Sequence, residues 1–348
     1  MLRFLTSGES HGKFLLAILE GMPCGLKIDK KFINQELARR QKGFGRGPRM
    51  KIEKDKAEII SGIKEEKTLG SPIGILIKNK DFSIDYLPKV ISPRPGHADL
   101  AGVLKYGFKD IRNVLERASA RETASRVAVG AICKLFLKEF NILIKSKVLM
   151  VGGETNKESI FKKIKEAKEK KDTLGGIFEV VAKNVPVGLG SYVHWDRRLD
   201  SRIAQAVISI PGVKAIEFGL GFGYAKRFGS EVHDAIYYSK SKGYFRLTNN
   251  AGGIEGGISN GKDLVIRACM KPISTLLNPL DSVNILTKKP TKASVERSDI
   301  CVVESAGVIA ESMIAFVLAD AFLEKFGADN LTDIKENYFS YLKKLNNF

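Results

Sequence analysis

Residues 305–327 read SAGVIAESMIAFVLADAFLEKFG. The run is apolar over six turns, and Gly327 stands where a helix C-cap favours a left-handed residue. The spacing therefore predicts one long helix over Ser305–Phe326. Glu311 interrupts it, and Lys134 interrupts the other long apolar stretch. Neither is expected to supply the roughly 20 apolar residues of a membrane span. Outward from this helix, short runs rich in Val, Ile, Leu and Phe predict strands at 13–20, 73–78, 142–151, 177–185, 213–219 and 263–268. Another short apolar strand precedes Gly8. Helices are expected over Asp29–Arg40 with Asp29 as N-cap, and from a Ser119/Glu122 capping box to about Phe140. A third, rich in Lys and Glu, is expected over Ile160–Lys171 with Ser159 as N-cap. Strands and helices mix without a regular βαβ period, which favours α+β. The length suits one large domain or two ordinary ones, and no repeat or low-complexity linker marks a boundary.

The 348 residues are 44% hydrophobic and 28% charged, as in ordinary globular proteins. The net charge of +18 is less ordinary. Of the 57 basic residues, 17 are Arg and 40 are Lys, against 39 acids. Lys and acids nearly cancel, so Arg carries the excess. Nucleic-acid binding predicts basic runs interleaved with aromatics. Here Lys is dispersed, there is one Trp, and Arg clusters with Gly and His. A polyanionic small molecule fits better, since guanidinium forks match phosphate and carboxylate. Four cysteines (Cys24, Cys133, Cys269, Cys301) form no CxxC pair, which argues against a metal site and a disulfide framework. With no leader-like N-terminus, a cytoplasmic location is expected.

Few residues offer themselves for chemistry. His11 sits in GESHG (8–12), two glycines bracketing three polar residues. His97 sits in SPRPGHAD (92–99), where two prolines and a glycine fix the backbone around Arg94. His11 reads equally as a site or as part of a plain turn, and His97 equally as a site or as a cap at a helix N-terminus. His194 and His233 lack such surroundings and read as structural. Residues 39–49 hold four Arg and three Gly, suited to a ligand with several anionic groups. Arg117 and Arg121 flank Ser119 at a helix start, an anion site on first principles. Asp299, beside Arg297, reads by its position as a helix cap. The glycine-rich stretch 249–261 is neither a Walker loop nor a dinucleotide fingerprint.

Taken together, these segments closely resemble chorismate synthase. The match rests on GESHG at 8–12, RRQKGFGRGPRMKIE at 39–53, SPRPGHAD at 92–99 and RASARETASRVAVGAI at 117–132. It continues with NNAGGIEGGISNG at 249–261, KPIST at 271–275 and RSDICVVESAGVIAE at 297–311. The chain is slightly short for the family, and the shortening is expected in surface loops such as the one before Gly243. The resemblance implies a single α+β domain over 1–348, with 327–348 as a C-terminal tail, folded as a β-α-β sandwich that assembles as a homotetramer. It implies a lyase that eliminates phosphate from 5-enolpyruvylshikimate 3-phosphate with reduced FMN, the last common step of the shikimate pathway. NADPH and an external flavin reductase are the two implied sources of reduction. By similarity His97 is the general acid for the departing phosphate, His11 faces the flavin, and Asp299 takes part in removing the proton. Ser10, Arg40, Arg46, Arg49, Arg94 and Arg121 are implied for the substrate. Arg117, Ala118, Ser119, Gly256, Lys271, Pro272, Ile273, Ser274, Thr275 and Arg297 are implied for the flavin. The rival reading is a flavin-binding protein with a different reaction, against which His11, His97 and Asp299 stand together.

Overall fold

The computed structural model describes residues 1–47, 52–296 and 298–348. Two four-stranded antiparallel sheets build its outer layers. The first contains β1 (Arg3–Ser7), β2 (Phe14–Glu20), β3 (Ala57–Ile59) and β4 (Ile73–Lys78), in the order β1-β2-β4-β3. The second contains β5 (Leu143–Val151), β6 (Gly176–Lys183), β7 (Val213–Phe218) and β8 (Leu264–Met270), in the order β5-β6-β8-β7. Helix α1 spans Lys30–Gln41, α2 Asp99–Tyr106, α3 Arg112–Ala118 and α4 Thr123–Lys138. Helix α5 spans Lys157–Glu169, α6 Leu199–Ile208, α7 Val303–Phe326 and α8 Leu331–Asn346. Helix α4 packs on β2 and β4, α7 packs on β5 and β6, and the two helices pack on each other. The result is an α+β fold of the β-α-β sandwich type.

Side-chain alternation explains the layering. In β2, Leu15, Ala17 and Leu19 are buried, and in β4 Ile73, Ile75 and Ile77 face the same way. In the second sheet, Phe178, Val180 and Ala182 of β6 pair with Leu264, Ile266 and Ala268 of β8 on the inner face. The helical middle layer is buried on nearly every side of α7 and over most of α4. Gly130 permits the close crossing of these two helices, because a Cβ there would lie 2.2 Å from Ser312 Cβ.

All six strands placed from the sequence form, within one to two residues at each end. The strand before Gly8 forms as β1, whereas β3, three residues long, carries too little pattern to be read. Asp29 caps α1 as expected, accepting from the amides of Lys31 and Phe32. Other details differ. Helix α7 opens at Val303, two residues early. Helix α5 opens at Lys157, and its cap is Asn156, whose Oδ1 accepts from Ser159 N at 2.8 Å, so Ser159 lies inside the first turn. Ser119 accepts from Arg121 N and opens a single 3₁₀ turn ahead of α4. Glu122 does not complete a capping box; its carboxylate accepts from Thr6 and Arg126.

The segment beyond Gly327 forms α8, which buries Ile334 and lays Tyr338 against Phe322 and Phe326 of α7. Helix α7 is, by length and composition, apolar enough to cross a membrane, contrary to the expectation from Glu311 alone. It is instead the buried spine of the middle layer. Glu311 is fully buried there, and its carboxylate accepts from Arg39 at 2.7 Å, Lys134 at 2.5 Å, and the amide and hydroxyl of Ser146 at 2.7 and 2.6 Å. Glu36 also binds Arg39 and Lys134. Burial works to raise the Glu311 pKa, but Arg39 and Lys134 outweigh it and hold it at about 2.

Candidate active site

The site lies where the C-terminus of α1, the loop after β1, the N-terminus of α4 and the segment before α7 meet. Two adjoining cavities of about 170 and 450 Å³ share Ser119, Ala120, Pro211, Met270, Ser298, Asp299 and Val302 in their walls. The smaller holds the arginines. The larger has the size of a cofactor-class pocket.

Arg40 is the last buried residue of α1, and Arg46 follows in the glycine-rich loop. Arg46 donates from Nη1 to Ser305 Oγ at 2.7 Å, and Ser305 in turn donates to the Arg40 carbonyl. Arg121 donates from Nε to Asn79 at 2.9 Å and from Nη1 to Asp55 at 2.8 Å. Asp55 also lies 4.0 Å from Arg40. Burial, with Arg121 and Arg46 nearby, pushes Arg40 down to about 10 and lowers Arg46 as well. Arg40 Nε, Arg46 Nε and Arg121 Nη2 are buried without a hydrogen-bond partner among the described residues. Arg46 Nε is 3.5 Å from Asp299 and Arg121 Nη2 is 3.8 Å from the buried Glu53 carboxylate, both outside hydrogen-bond geometry. Orphaned buried donors on three clustered cations are the signature of an anion site.

The larger cavity is lined by Ser10, His11, Arg94, His97, Ala118, Ser119, Asp299 and the whole of Lys271–Thr275. Both imidazoles are held at Nδ1 by a buried carboxylate. His97 Nδ1 lies 2.5 Å from Asp99 Oδ1, and His11 Nδ1 lies 2.9 Å from Glu116 Oε1. Glu116 also accepts the His11 amide at 2.7 Å. Burial works to raise both carboxyls, but hydrogen bonds from His97 and Arg94 hold Asp99 well below the usual range, and those from His11 hold Glu116 down. Such bracing fixes each ring and leaves its Nε2 for a ligand. Arg94 is committed, with Nε and Nη2 on Asp99 and Nη1 on Thr275 at 2.7 Å, so it acts on the cleft through Asp99. Lys271 binds the Gly96 carbonyl, and burial lowers its pKa.

Asp299 does not cap α7. The N-cap is Val302, with no side-chain bond. Asp299 instead accepts from the Gly47 amide and faces Arg46 across the cleft. Gly47 allows this approach, since a Cβ there would lie 2.6 Å from the Ser298 carbonyl oxygen.

Arg117 and Gly256 are not in the cleft walls. Arg117 donates to the carbonyls of Gly8 and Thr6 at 3.0 and 2.9 Å. Gly256 occupies the turn of a small hairpin, Ile254–Glu255 with Ile258–Ser259, at φ +59°. Arg49 and Arg297 lie outside the described residues. His194 binds Asp196 on the exposed surface. The sequence reading missed Asp55, Asn79, Asp99 and Glu116. Asp99 stands two residues after His97 and Glu116 one before Arg117, so proximity was the available signal.

Comparison with known proteins identifies the family. A family model described as chorismate synthase matches residues 2–323. The chorismate synthase of Caldanaerobacter subterraneus subsp. tengcongensis is 56% identical over the whole of both chains. That of Aquifex aeolicus is 51% identical over all of this chain and 99% of its own. A crystal structure of chorismate synthase, 44% identical, superposes with a TM-score of 0.83 over all of this chain and 99% of that one.

Proposed function

Because the chain belongs to the chorismate synthase family, whose members are carbon–oxygen lyases acting on phosphates, we propose that it converts 5-enolpyruvylshikimate 3-phosphate to chorismate and phosphate with reduced FMN. One observation carries this reading. Three buried guanidinium groups with orphaned donors adjoin two imidazoles braced by carboxylates, around one cleft. The substrate carries a phosphate and two carboxylates, so it matches the cations in kind.

Arg40, Arg46 and Arg121 hold these anions with Ser10, and Arg49 joins them. His97 donates a proton to the departing phosphate, and Asp99 on its other nitrogen supports the charged ring. The bond from carbon to the phosphate oxygen breaks with its electron pair. The proton lost at the far end of the 1,4 system leaves its electrons in a new double bond, so the step balances without net redox change. Asp299 takes part in removing that proton. Lys271–Thr275, Ala118, Ser119 and His11 border a space fit for the flavin, whose hydroxyl-bearing tail and phosphate suit Ser274, Thr275 and Lys271. Arg117, Gly256 and Arg297 belong to the same reading as flavin contacts. When bound, reduced FMN supplies transient electron density to the reacting system.

The same reading makes the chain a cytoplasmic homotetramer of single-domain subunits, with its flavin reduced by NADPH or by a separate reductase. The deciding assay is anaerobic, with the enolpyruvyl substrate and dithionite-reduced FMN. Release of inorganic phosphate together with chorismate is expected, and no phosphate release overturns the proposal. Aerobic turnover on FMN and NADPH alone then tells the two sources of reduction apart.

A further inference from the structure

We infer that Asn79 is a positioning residue that couples the anion-binding guanidinium of Arg121 to the loop carrying His11. Strand β4 ends at Lys78, paired with Phe14, and the Asn79 amide extends the ladder by donating to the Lys13 carbonyl at 3.0 Å. The Asn79 side chain is 5% exposed, so its amide group needs partners inside the protein. Its Nδ2 donates to the carbonyl of Gly12 at 2.7 Å and lies 3.3 and 3.4 Å from those of Glu9 and Ser10. Its Oδ1 accepts from Arg121 Nε at 2.9 Å.

The orientation of this amide is forced. Arg121 has only donors to offer, and the loop presents only carbonyl oxygens, so a flipped amide would set like against like at both ends. One small group therefore gathers the peptides on either side of His11 and fixes the end of a guanidinium in the anion cavity. Glu116 and Arg117 hold the same loop from another side, but neither touches an anion-site arginine in doing so. An anion that reaches the Arg121 guanidinium, whose Nη2 also faces the Glu53 carboxylate at 3.8 Å, acts on a planar group whose Nε is tied, through Asn79, to the backbone that aims His11. Alanine at 79 keeps the strand and its backbone bond and removes this tie.

The test begins with amide exchange on the chain without ligands. Asn79→Ala should speed exchange over residues 8–13 about tenfold, while residues 176–183 in the second sheet exchange as in the wild type. Saturating inorganic phosphate should slow exchange over 8–13 about twofold in the wild type and not in Asn79→Ala. In the anaerobic assay, Asn79→Ala should lower kcat about tenfold alone but less than about threefold in a His11→Ala background, the non-additivity of residues acting as a unit. Unchanged exchange over 8–13, a phosphate effect that persists in the variant, or additive losses in kcat overturns the inference. If Asn79→Ala also loosens 176–183, Asn79→Asp takes its place with the same readouts. It keeps the shape and the acceptor for Arg121 but turns an oxygen onto the Gly12 carbonyl. Only the kinetic arm rests on the proposed reaction. A wild-type chain that fails to release phosphate from the enolpyruvyl substrate counts against that reaction, whereas the exchange result judges the coupling by itself.

Discussion

His97 Nδ1 and Asp99 Oδ1 are 2.5 Å apart, and the carboxylate that makes this contact is itself clamped by two nitrogens of Arg94. The imidazole is thus oriented from behind by a group that is fully buried and stays ionised. Asp99→Asn keeps the shape but loses the charge that supports a protonated ring. Turnover should fall about 100-fold, the range of a general acid, with KM for the phosphate substrate changed little. Steady-state kinetics on purified Asp99→Asn checks this, and wild-type kcat would remove Asp99 from the mechanism.

Asp299 separates a catalytic from a capping role cleanly, because α7 starts at Val303 without its help. Asp299→Ala should cost about 1 kcal/mol, the worth of its bond to Gly47, while turnover drops by about two orders of magnitude. Thermal unfolding and the anaerobic assay on one preparation measure both. A large fall in Tm with turnover preserved in the folded fraction would restore the capping role.

The orphaned donors of Arg40, Arg46 and Arg121 call for an anion even in the absence of turnover. Inorganic phosphate should therefore raise Tm, approaching a stabilisation of about 3 kcal/mol at one hundred times its Kd. Arg46→Ala should lose most of this shift. It is the cleaner probe, since removing Arg40 would leave the buried Asp55 less compensated. Differential scanning fluorimetry against a phosphate titration decides the point, with chloride at equal ionic strength as the reference.

Glu311, Arg39, Lys134 and Glu36 form an ion cluster inside the helical layer. The Glu311 pKa is lowered from 4.5 to about 2 in the folded chain. A lowered carboxyl stabilises the fold above its unfolded value, and that contribution is lost as pH falls from about 4.5 through about 2. Urea midpoints should accordingly decline across this window in the wild type. Glu311→Ala, which leaves Lys134 and Arg39 to the single carboxylate of Glu36, should cost about 3–5 kcal/mol at pH 7 and show a shallower decline. A midpoint unchanged at pH 7 would show that the cluster contributes nothing.

The fold was readable wherever one side-chain period dominated. The inner strands carry strict alternation, and α7 carries a long apolar run closed by glycine, so both were visible in outline. Strand β3 and the caps of α5 and α4 were less visible, because three residues hold no period and Ser, Asn and Asp compete for the same cap position. The arginines of the cleft were legible as anion-binding groups from their clustering with glycine, whereas the roles of His11, His97 and Asp299 came only through the resemblance. By composition alone Asp299 looked like a cap, His11 was no better than a turn residue, and His97 no better than a helix cap. Asp99 lies within five residues of both His97 and Arg94 and was open to a local reading, whereas Glu116, Asp55 and Asn79 escaped notice for a physical reason. Their role is to hold other side chains across gaps of up to 105 residues in sequence, as between His11 and Glu116, and no local spacing encodes such pairing.

The buried carboxylate of Glu311 has a consequence for geometry as well as energy. A helix that is oily all round has many nearly equivalent ways to lie between two oily layers, rotated by a residue or slid by a turn. One charged side chain that must meet Arg39, Lys134 and Ser146 removes that freedom, like a key cut into an otherwise smooth shaft. Ser305 stands six residues earlier on the same helix, so its hydroxyl arrives between Arg40 and Arg46 at a set height and angle. The alignment of the arginines is therefore indexed from a point deep in the core, out of reach of any ligand.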